Sequence, residues 1–231
     1  MFTYTTFTTY PTDITSAGIS HLYTSVRRVI YPAVLAALII LATLVVAPLN
    51  AHSAEKTAVF AGGCFWCMEE AYEKVPGVTK VISGYSGGKT KSPTYQQVTG
   101  GNTGHYEAVR VYYDDTQVSY KELLDVFWVN IDPFDDGGQF CDRGSSYKSA
   151  IFYQDDEELK LATRSLKDLR EQTQKSTNVE TKGRIVTPIL AFKRFYDGES
   201  YHQDYYKRNA VRYNYYKYGC GRPARLEKLW G

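Results

Sequence analysis

The chain has 231 residues with 43% apolar content, enough for one domain with a sizeable core plus an extension. A net charge of +2 gives no argument for a polyanionic partner. The four cysteines, Cys64, Cys67, Cys141 and Cys220, are too few and too dispersed for a disulfide-stapled mini-scaffold.

Residues 1–26 are rich in Thr, Tyr and Ser and lack apolar periodicity. Arg27 and Arg28 then precede an apolar run from Ala33 to Ala47. That run is shorter than the roughly 20 residues of a spanning helix and fits the core of a secretory signal. Small residues suited to cleavage follow near Ala51 and Ala54. Residues 1–54 therefore read as an export signal, which places the mature protein in the periplasm. The alternative is an uncleaved membrane anchor through residues 29–49, facing the same compartment.

Residues 55–231 read as one domain. Lys56–Ala61 is a short apolar strand that runs through Gly62 and Gly63 into Cys64-Phe65-Trp66-Cys67. A helix follows, with Met68, Ala71, Tyr72 and Val75 on one face and Glu69, Glu70, Glu73 and Lys74 on the other. Pro76 and Gly77 stop it. Val78–Tyr85 reads as a strand, and 84–104 as a long glycine-bearing loop of the kind that carries function. Glu107–Tyr113 is a strand with Ala108, Arg110 and Tyr112 on one face and Val109 and Val111 on the other. Ser119 and Glu122 form a capping box for a helix to about Asn130 that buries Leu123, Leu124, Phe127 and Trp128. A second loop covers 132–146, then a strand Ser149–Tyr153, a helix Asp155–Thr173 and a strand Ile185–Phe192. From Glu199 the chain is helical or irregular, rich in tyrosine and basic residues. The order β-α-β-β-α-β-α-β predicts an α+β fold. It is a two-layer sandwich of a mostly antiparallel sheet and packed helices, with a ferredoxin-like (split βαβ) core.

Cys64 heads the chemistry. It sits at a helix start, where unpaired N–H groups and the macrodipole favour a thiolate, and the thiolate is the nucleophile. Cys67 either pairs with Cys64 or packs one turn into the helix without a redox role. Glu107, facing Cys64 across a cleft, would be a buried general acid. Tyr95 and Tyr147 beside it would donate hydrogen bonds to a polar substrate oxygen. Asp142 lies in a turn-prone segment where a carboxylate also serves simply to cap backbone.

These segments together resemble the A-type peptide methionine sulfoxide reductases. The matches are Gly62-Gly63-Cys64-Phe65-Trp66, Gly84-Tyr85-Ser86-Gly87-Gly88, Pro93-Thr94-Tyr95, Thr103-Gly104-His105-Tyr106-Glu107-Ala108-Val109, Asp142 to Tyr147, and Tyr201-His202-Gln203-Asp204-Tyr205-Tyr206. They occur in family order from residue 56 to about 208, with a C-terminal tail from about Asn209. The resemblance implies reduction of methionine S-sulfoxide in oxidised proteins and peptides. Cys64 would attack sulfur, with Glu107, Tyr95 and Tyr147 acting on the oxygen. Phe65 and Trp66 would wall the S-methyl pocket, and Asp142 would hold the substrate backbone. Cys64 would be left as a sulfenic acid, closed to a disulfide by a second cysteine and reduced by an external thioredoxin-type dithiol. No metal and no organic cofactor are implied, and a monomer is expected. Three departures from the common family pattern leave the resolving cysteine open. Cys67 stands where many members carry glycine, Cys141 where asparagine is frequent, and the tail lacks a glycine-rich, cysteine-bearing end. Cys220 and Cys67 are equal candidates, with Cys141 third.

Three other readings compete. A thioredoxin-like dithiol oxidoreductase would use Cys64–Cys67, with Thr187-Pro188 beside the site, but it leaves Glu107, Tyr95 and Tyr147 without a role. Four cysteines would suit zinc, but only one pair is closely spaced. The basic, tyrosine-rich tail has the composition of a nucleic-acid binder. A solvated basic helix with tyrosines packed beneath explains it more simply, and no nucleic-acid partner is expected.

Overall fold

The computed structural model describes residues 55–231. The expected export signal or anchor in residues 1–54 lies outside the described residues. Among the described residues no helix is long and apolar enough to cross a membrane.

Three strands make the centre of the sheet: β1 (Lys56–Gly62), β2 (Val78–Ser86) and β3 (Tyr106–Tyr113). β3 lies between β1 and β2, antiparallel to both, so β1 and β2 run parallel with a strand inserted between them. The helix α1 (Phe65–Glu73) makes that crossover. This is the split βαβ unit. Adding β6 (Ser149–Tyr153), antiparallel to β1, gives the order β6-β1-β3-β2 of a ferredoxin-like core. Two short strands extend it: β7 (Ile189–Ala191), parallel to β6, and β8 (Phe195–Asp197), antiparallel to β2.

The strand β1 is continuously apolar because the sheet is buried on both faces. Ala58 and Phe60 join Val109, Val111 and Ile151 on the side covered by helices, while Val59 and Ala61 join Ala108, Ala150, Phe152 and Phe195 on the other. The helix side is covered by α1 and α3 (Tyr120–Val129), flanked by α4 (Asp156–Lys175). Phe60 stacks on Tyr72 and Phe127 at ring separations of 5.2 and 5.4 Å. Each such fully buried ring contributes about 1.5–3 kcal/mol of transfer free energy. The expected Ser119–Glu122 capping box is formed.

The remaining elements are short. A helix α2 (Tyr95–Thr99), with its own Thr94–Gln97 capping box, interrupts the loop expected over 84–104. Its length is too small to show a 3.6-residue period. A two-stranded ribbon, β4 (Gly138–Gln139) and β5 (Asp142–Arg143), and a 3-10 turn at Ser145–Tyr147 shape the second loop. The strand expected over 185–192 is reduced to β7. Upstream of it, Val186 N–H donates to the Pro133 carbonyl in loop contacts instead of a ladder. The tail forms α5 (Tyr205–Arg208), α6 (Ala210–Gly219) and α7 (Arg222–Trp230).

Candidate active site

The site grows from the β1–α1 junction. Gly62 and Gly63 are required there by space. A Cβ on Gly62 would stand 2.5 Å from Met68 Sδ, and Gly63 has φ +80° with Gln139 packed against it. This tight turn leaves Cys64 as the N-cap of α1, 5% exposed. The pairing of Tyr85 with Glu107 sets the position of the carboxylate at the start of β3. Its Oε2 accepts the backbone N–H of Phe65 at 3.1 Å, so the helix terminus is occupied by Glu107.

Glu107 is 1% exposed. Burial pushes its carboxyl up to about 8, against the lowering effect of the Phe65 N–H, with the Asp142 charge adding to the rise. It is therefore protonated at neutral pH. The hydroxyls of Tyr95 and Tyr147 share a hydrogen bond. Burial raises both phenols, Tyr95 to about 12, so both stay as donors.

A cavity of about 50 Å³ opens between these groups. Cys64, Phe65, Trp66, Tyr95, Glu107, Asp142 and Tyr147 line it, which brings together every catalytic and substrate-binding residue expected from sequence. Tyr216 of α6 completes the wall and was not expected. Its hydroxyl donates to Asp142 Oδ2 and also reaches the Cys64 sulfur. About 10–15 Å³ of such space holds one water, so the cavity has room for a methyl group and an oxygen.

The aromatic wall is held from behind. Phe65 packs against Tyr95 and His202 at 6.3 and 4.9 Å between ring centres. Trp66 stacks on Tyr205 at 3.8 Å, and its indole N–H donates to His202 Nδ1 at 3.2 Å. Burial lowers His202, keeping it neutral and able to accept. Glu199 accepts from Tyr85 Oη (2.6 Å) and from the Tyr95 N–H (2.9 Å), fixing the start of α2. Gln203 accepts the Ser83 N–H at 3.0 Å, and Glu69 accepts the Asp204 N–H at 2.9 Å. The Tyr201–Tyr206 segment is thereby clamped to β2 and α1.

The cysteines fall into two pairs. Cys64 and Cys67 are free, buried and within hydrogen-bond reach of each other. Cys141 and Cys220 form a disulfide across a sequence separation of 79. Cys220, one of the two equal candidates for pairing with Cys64, is thus bonded to Cys141 here. The tail already lies against the site and does not need to swing over it. The expectation of a stabilised Cys64 thiolate is corrected. Burial raises the Cys64 thiol well above its ordinary range, with the Cys67 and Glu107 charges adding to it, and the Phe65 N–H of the helix terminus is taken by Glu107. The charge sits on Cys67, lowered to about 6. The Cys64 thiol donating to it is the largest cause, opposed by burial, and Arg222, the Tyr213 hydroxyl and Lys217 add to the lowering.

Tyr213, Tyr216 and Arg222 escaped sequence reading. The signal was present as tyrosines at i and i+3 on a helix, but a tail with 21 tyrosines in the whole chain offers many such pairs. The zinc alternative loses two ligands, because the sulfurs of Cys141 and Cys220 are bonded to each other. The thioredoxin-like alternative loses its proline. Pro188 lies beside β6, accepting the Ile151 N–H at 3.0 Å, and is not among the residues lining the cysteine cavity.

Comparison with known proteins gives a consistent result. The family profile described as peptide methionine sulfoxide reductase matches residues 56–231. Peptide methionine sulfoxide reductase MsrA 2 of Caulobacter vibrioides is 50% identical over 185 residues, covering 80% of this chain and 90% of that protein. MsrA of Bacillus subtilis is 46% identical over 177 residues, covering 77% and 97%. Among solved structures, methionine sulfoxide reductase A of Corynebacterium diphtheriae superimposes with a TM-score of 0.63 at 32% identity, covering 71% of this chain and 79% of that one. Reduced Mxr1 of Saccharomyces cerevisiae gives a TM-score of 0.61 at 29% identity, covering 68% and 86%.

Proposed function

The chain belongs to the peptide methionine sulfoxide reductases, a family of oxidoreductases, and from that premise we propose how it reduces methionine S-sulfoxide in peptides and proteins. The observation that carries the reading is the protonated, buried Glu107 beside Cys64 in a small aromatic-walled cavity.

The S-methyl group packs against Phe65 and Trp66, where sulfur–aromatic contact is favourable. The sulfoxide oxygen faces Glu107, Tyr95 and Tyr147. Asp142, at the cavity rim, accepts from the substrate backbone. Glu107 gives its proton to the oxygen, which makes the sulfur electrophilic. Cys64 attacks that sulfur and its own proton passes to Cys67. The hydroxyl then passes from the substrate sulfur to Cys64: the substrate S–O bond and the transient bond between the two sulfurs both break, methionine leaves with the electron pair, and Cys64 is left as a sulfenic acid. Cys67 then attacks Cys64, forming the S–S bond and releasing water. An external thioredoxin-type dithiol supplies two electrons and two protons to restore both thiols. Cys67 is favoured as the resolving residue because it lies within reach of Cys64, while Cys220 is engaged by Cys141. No metal or organic cofactor takes part in this sequence.

A monomer is the working unit of this proposal. The apolar run from Ala33 to Ala47 supports export to the periplasm, with or without cleavage. A reporter fused after residue 54 tests this, and cytoplasmic retention would refute it. For the chemistry, the full chain is reduced, freed of reductant and given one equivalent of each sulfoxide epimer. One methionine from the S epimer with loss of two thiols and a Cys64–Cys67 bond supports the proposal. Methionine from neither epimer would refute it.

A further inference from the structure

Arg222 opens α7 and is 3% exposed. Its guanidinium donates to the carbonyls of Gly62 (3.3 Å) and Asn130 (2.6 Å). It also touches Met68 Sδ at 3.2 Å and covers the Phe140 ring at 4.6 Å. All four partners are neutral, and no described carboxylate is within ion-pair distance of it. A buried cation without an anion is costly, so its placement here implies negative charge close by. Asp142 feels the same field but accepts from Tyr216.

Cys67 shares a cleft of about 390 Å³ with Arg222, Lys217, Lys74 and Glu70. This cleft is separate from the cavity that Cys64 lines. Tyr213, 1% exposed, packs on both cysteines. Its one hydroxyl proton goes to Glu70 at 2.6 Å, with the Cys67 sulfur also in reach. Glu70 holds Lys74 (2.7 Å) and Lys217 (2.5 Å), so it stays satisfied when Tyr213 turns to sulfur. The groups facing Cys67 are therefore Cys64 and the protonated Glu107 on one side. Tyr213, Arg222 and the Glu70–Lys74–Lys217 set lie on the other.

We propose that Arg222 and Tyr213 are positioning residues for the second half-reaction, holding Cys67 as the thiolate that attacks the oxidised sulfur of Cys64. The inference rests on Cys67 being the resolving cysteine. Before oxidation the Cys64 thiol donates to Cys67. Once oxygen sits on Cys64 that S–H donor is gone; Cys67 gives the proton it received to solvent, and its charge must then be held from the Tyr213–Arg222 side. The Cys67 electron pair then forms the S–S bond. The Cys64 S–O bond breaks, and hydroxide takes one proton from solvent to leave as water.

The test follows the lifetime of the sulfenic acid in the reduced full chain after one equivalent of S-sulfoxide peptide. A cyclic 1,3-diketone trap and mass spectrometry read it from pH 5 to 9. In the unaltered protein the resolution rate rises through a midpoint below the ordinary thiol value of about 8.5 and is flat above. Arg222→Gln and Tyr213→Phe move the midpoint towards the ordinary thiol value of about 8.5. Each pH unit by which the midpoint rises cuts the thiolate fraction below it about tenfold, of which the greater nucleophilicity of the more basic thiolate returns about threefold. Net slowing below the midpoint is then about threefold for each pH unit of rise. Arg222→Lys keeps the charge and restores most of the low midpoint. If Cys67→Ser still loses its sulfenic acid at the normal rate, the resolving role of Cys67 is wrong. If Cys67→Ser traps the sulfenic acid but both variants keep the midpoint of the unaltered protein, the present inference alone is overturned. Should Arg222→Gln not fold, an unmoved midpoint in Tyr213→Phe overturns it equally.

Discussion

Glu107→Gln separates activity from stability in opposite directions. The native carboxyl is held at about 8 against an ordinary value of 4.5. At about 1.36 kcal/mol per unit, the folded protein disfavours the carboxylate by about 4–5 kcal/mol. The folded value is the raised one, so this stability is fully present below about pH 4.5 and is lost as pH rises to about 8. Glutamine stays neutral at every pH and its side-chain oxygen still accepts the Phe65 N–H. The variant therefore gains about 3–5 kcal/mol over the unaltered protein at pH 9, and close to nothing at pH 4.5. Activity moves the other way. Removing a general acid costs about 10²–10⁴-fold. Rapid-quench methionine release from S-sulfoxide peptide, and urea unfolding at pH 4.5, 7 and 9, measure both effects. The unaltered enzyme's methionine release declines as pH passes about 8, and the variant shows no such inflection. A variant rate within threefold of normal, or equal stabilities of the two proteins at pH 9, would refute the assignment.

Other substitutions probe the remaining parts. Cys67→Ser should still release one methionine per enzyme but accumulate a trappable sulfenic acid, and a disulfide from Cys64 to Cys220 in this variant would contradict the pairing seen here. Replacing Cys141 and Cys220 together by serine removes a cross-link over 79 residues, worth up to about 4.5 kcal/mol by loop entropy, which thermal unfolding under non-reducing conditions reads directly. The same double variant should retain methionine release. Trp66→Ala removes the stack on Tyr205 and the bond to His202, and should raise KM for the sulfoxide about 3- to 10-fold, the scale of a lost sulfur–aromatic contact. An unchanged KM would remove Trp66 from the pocket wall.

Much of this protein was legible in one dimension because its signals are local. The continuous apolar run of β1, the alternation of β3 and the Ser119–Glu122 box each depend on neighbours a few residues apart, and all formed where expected. Cys64, Phe65, Trp66, Tyr95, Glu107, Asp142 and Tyr147 were named from motifs, and one cavity collects them. The short α2 and β8 were missed because their few residues carry no period.

The ionisation of the cysteines, their pairing and the tail's part in the site are properties of space. A helix N-terminus favours a thiolate, but burial 5% exposed beside Cys67 and Glu107 reverses the sign at Cys64, and no spacing rule expresses burial. Cys141 reaches Cys220 because α6 and the β4–β5 ribbon meet with Cα atoms 5.0 Å apart, across 79 residues of chain. Tyr216, Tyr213 and Arg222 touch the chemistry because α6 and α7 return to β1 and α1. Residue types and local periods follow from the order of the chain; charge, reach and exclusion of water follow from which distant segments the fold brings into contact.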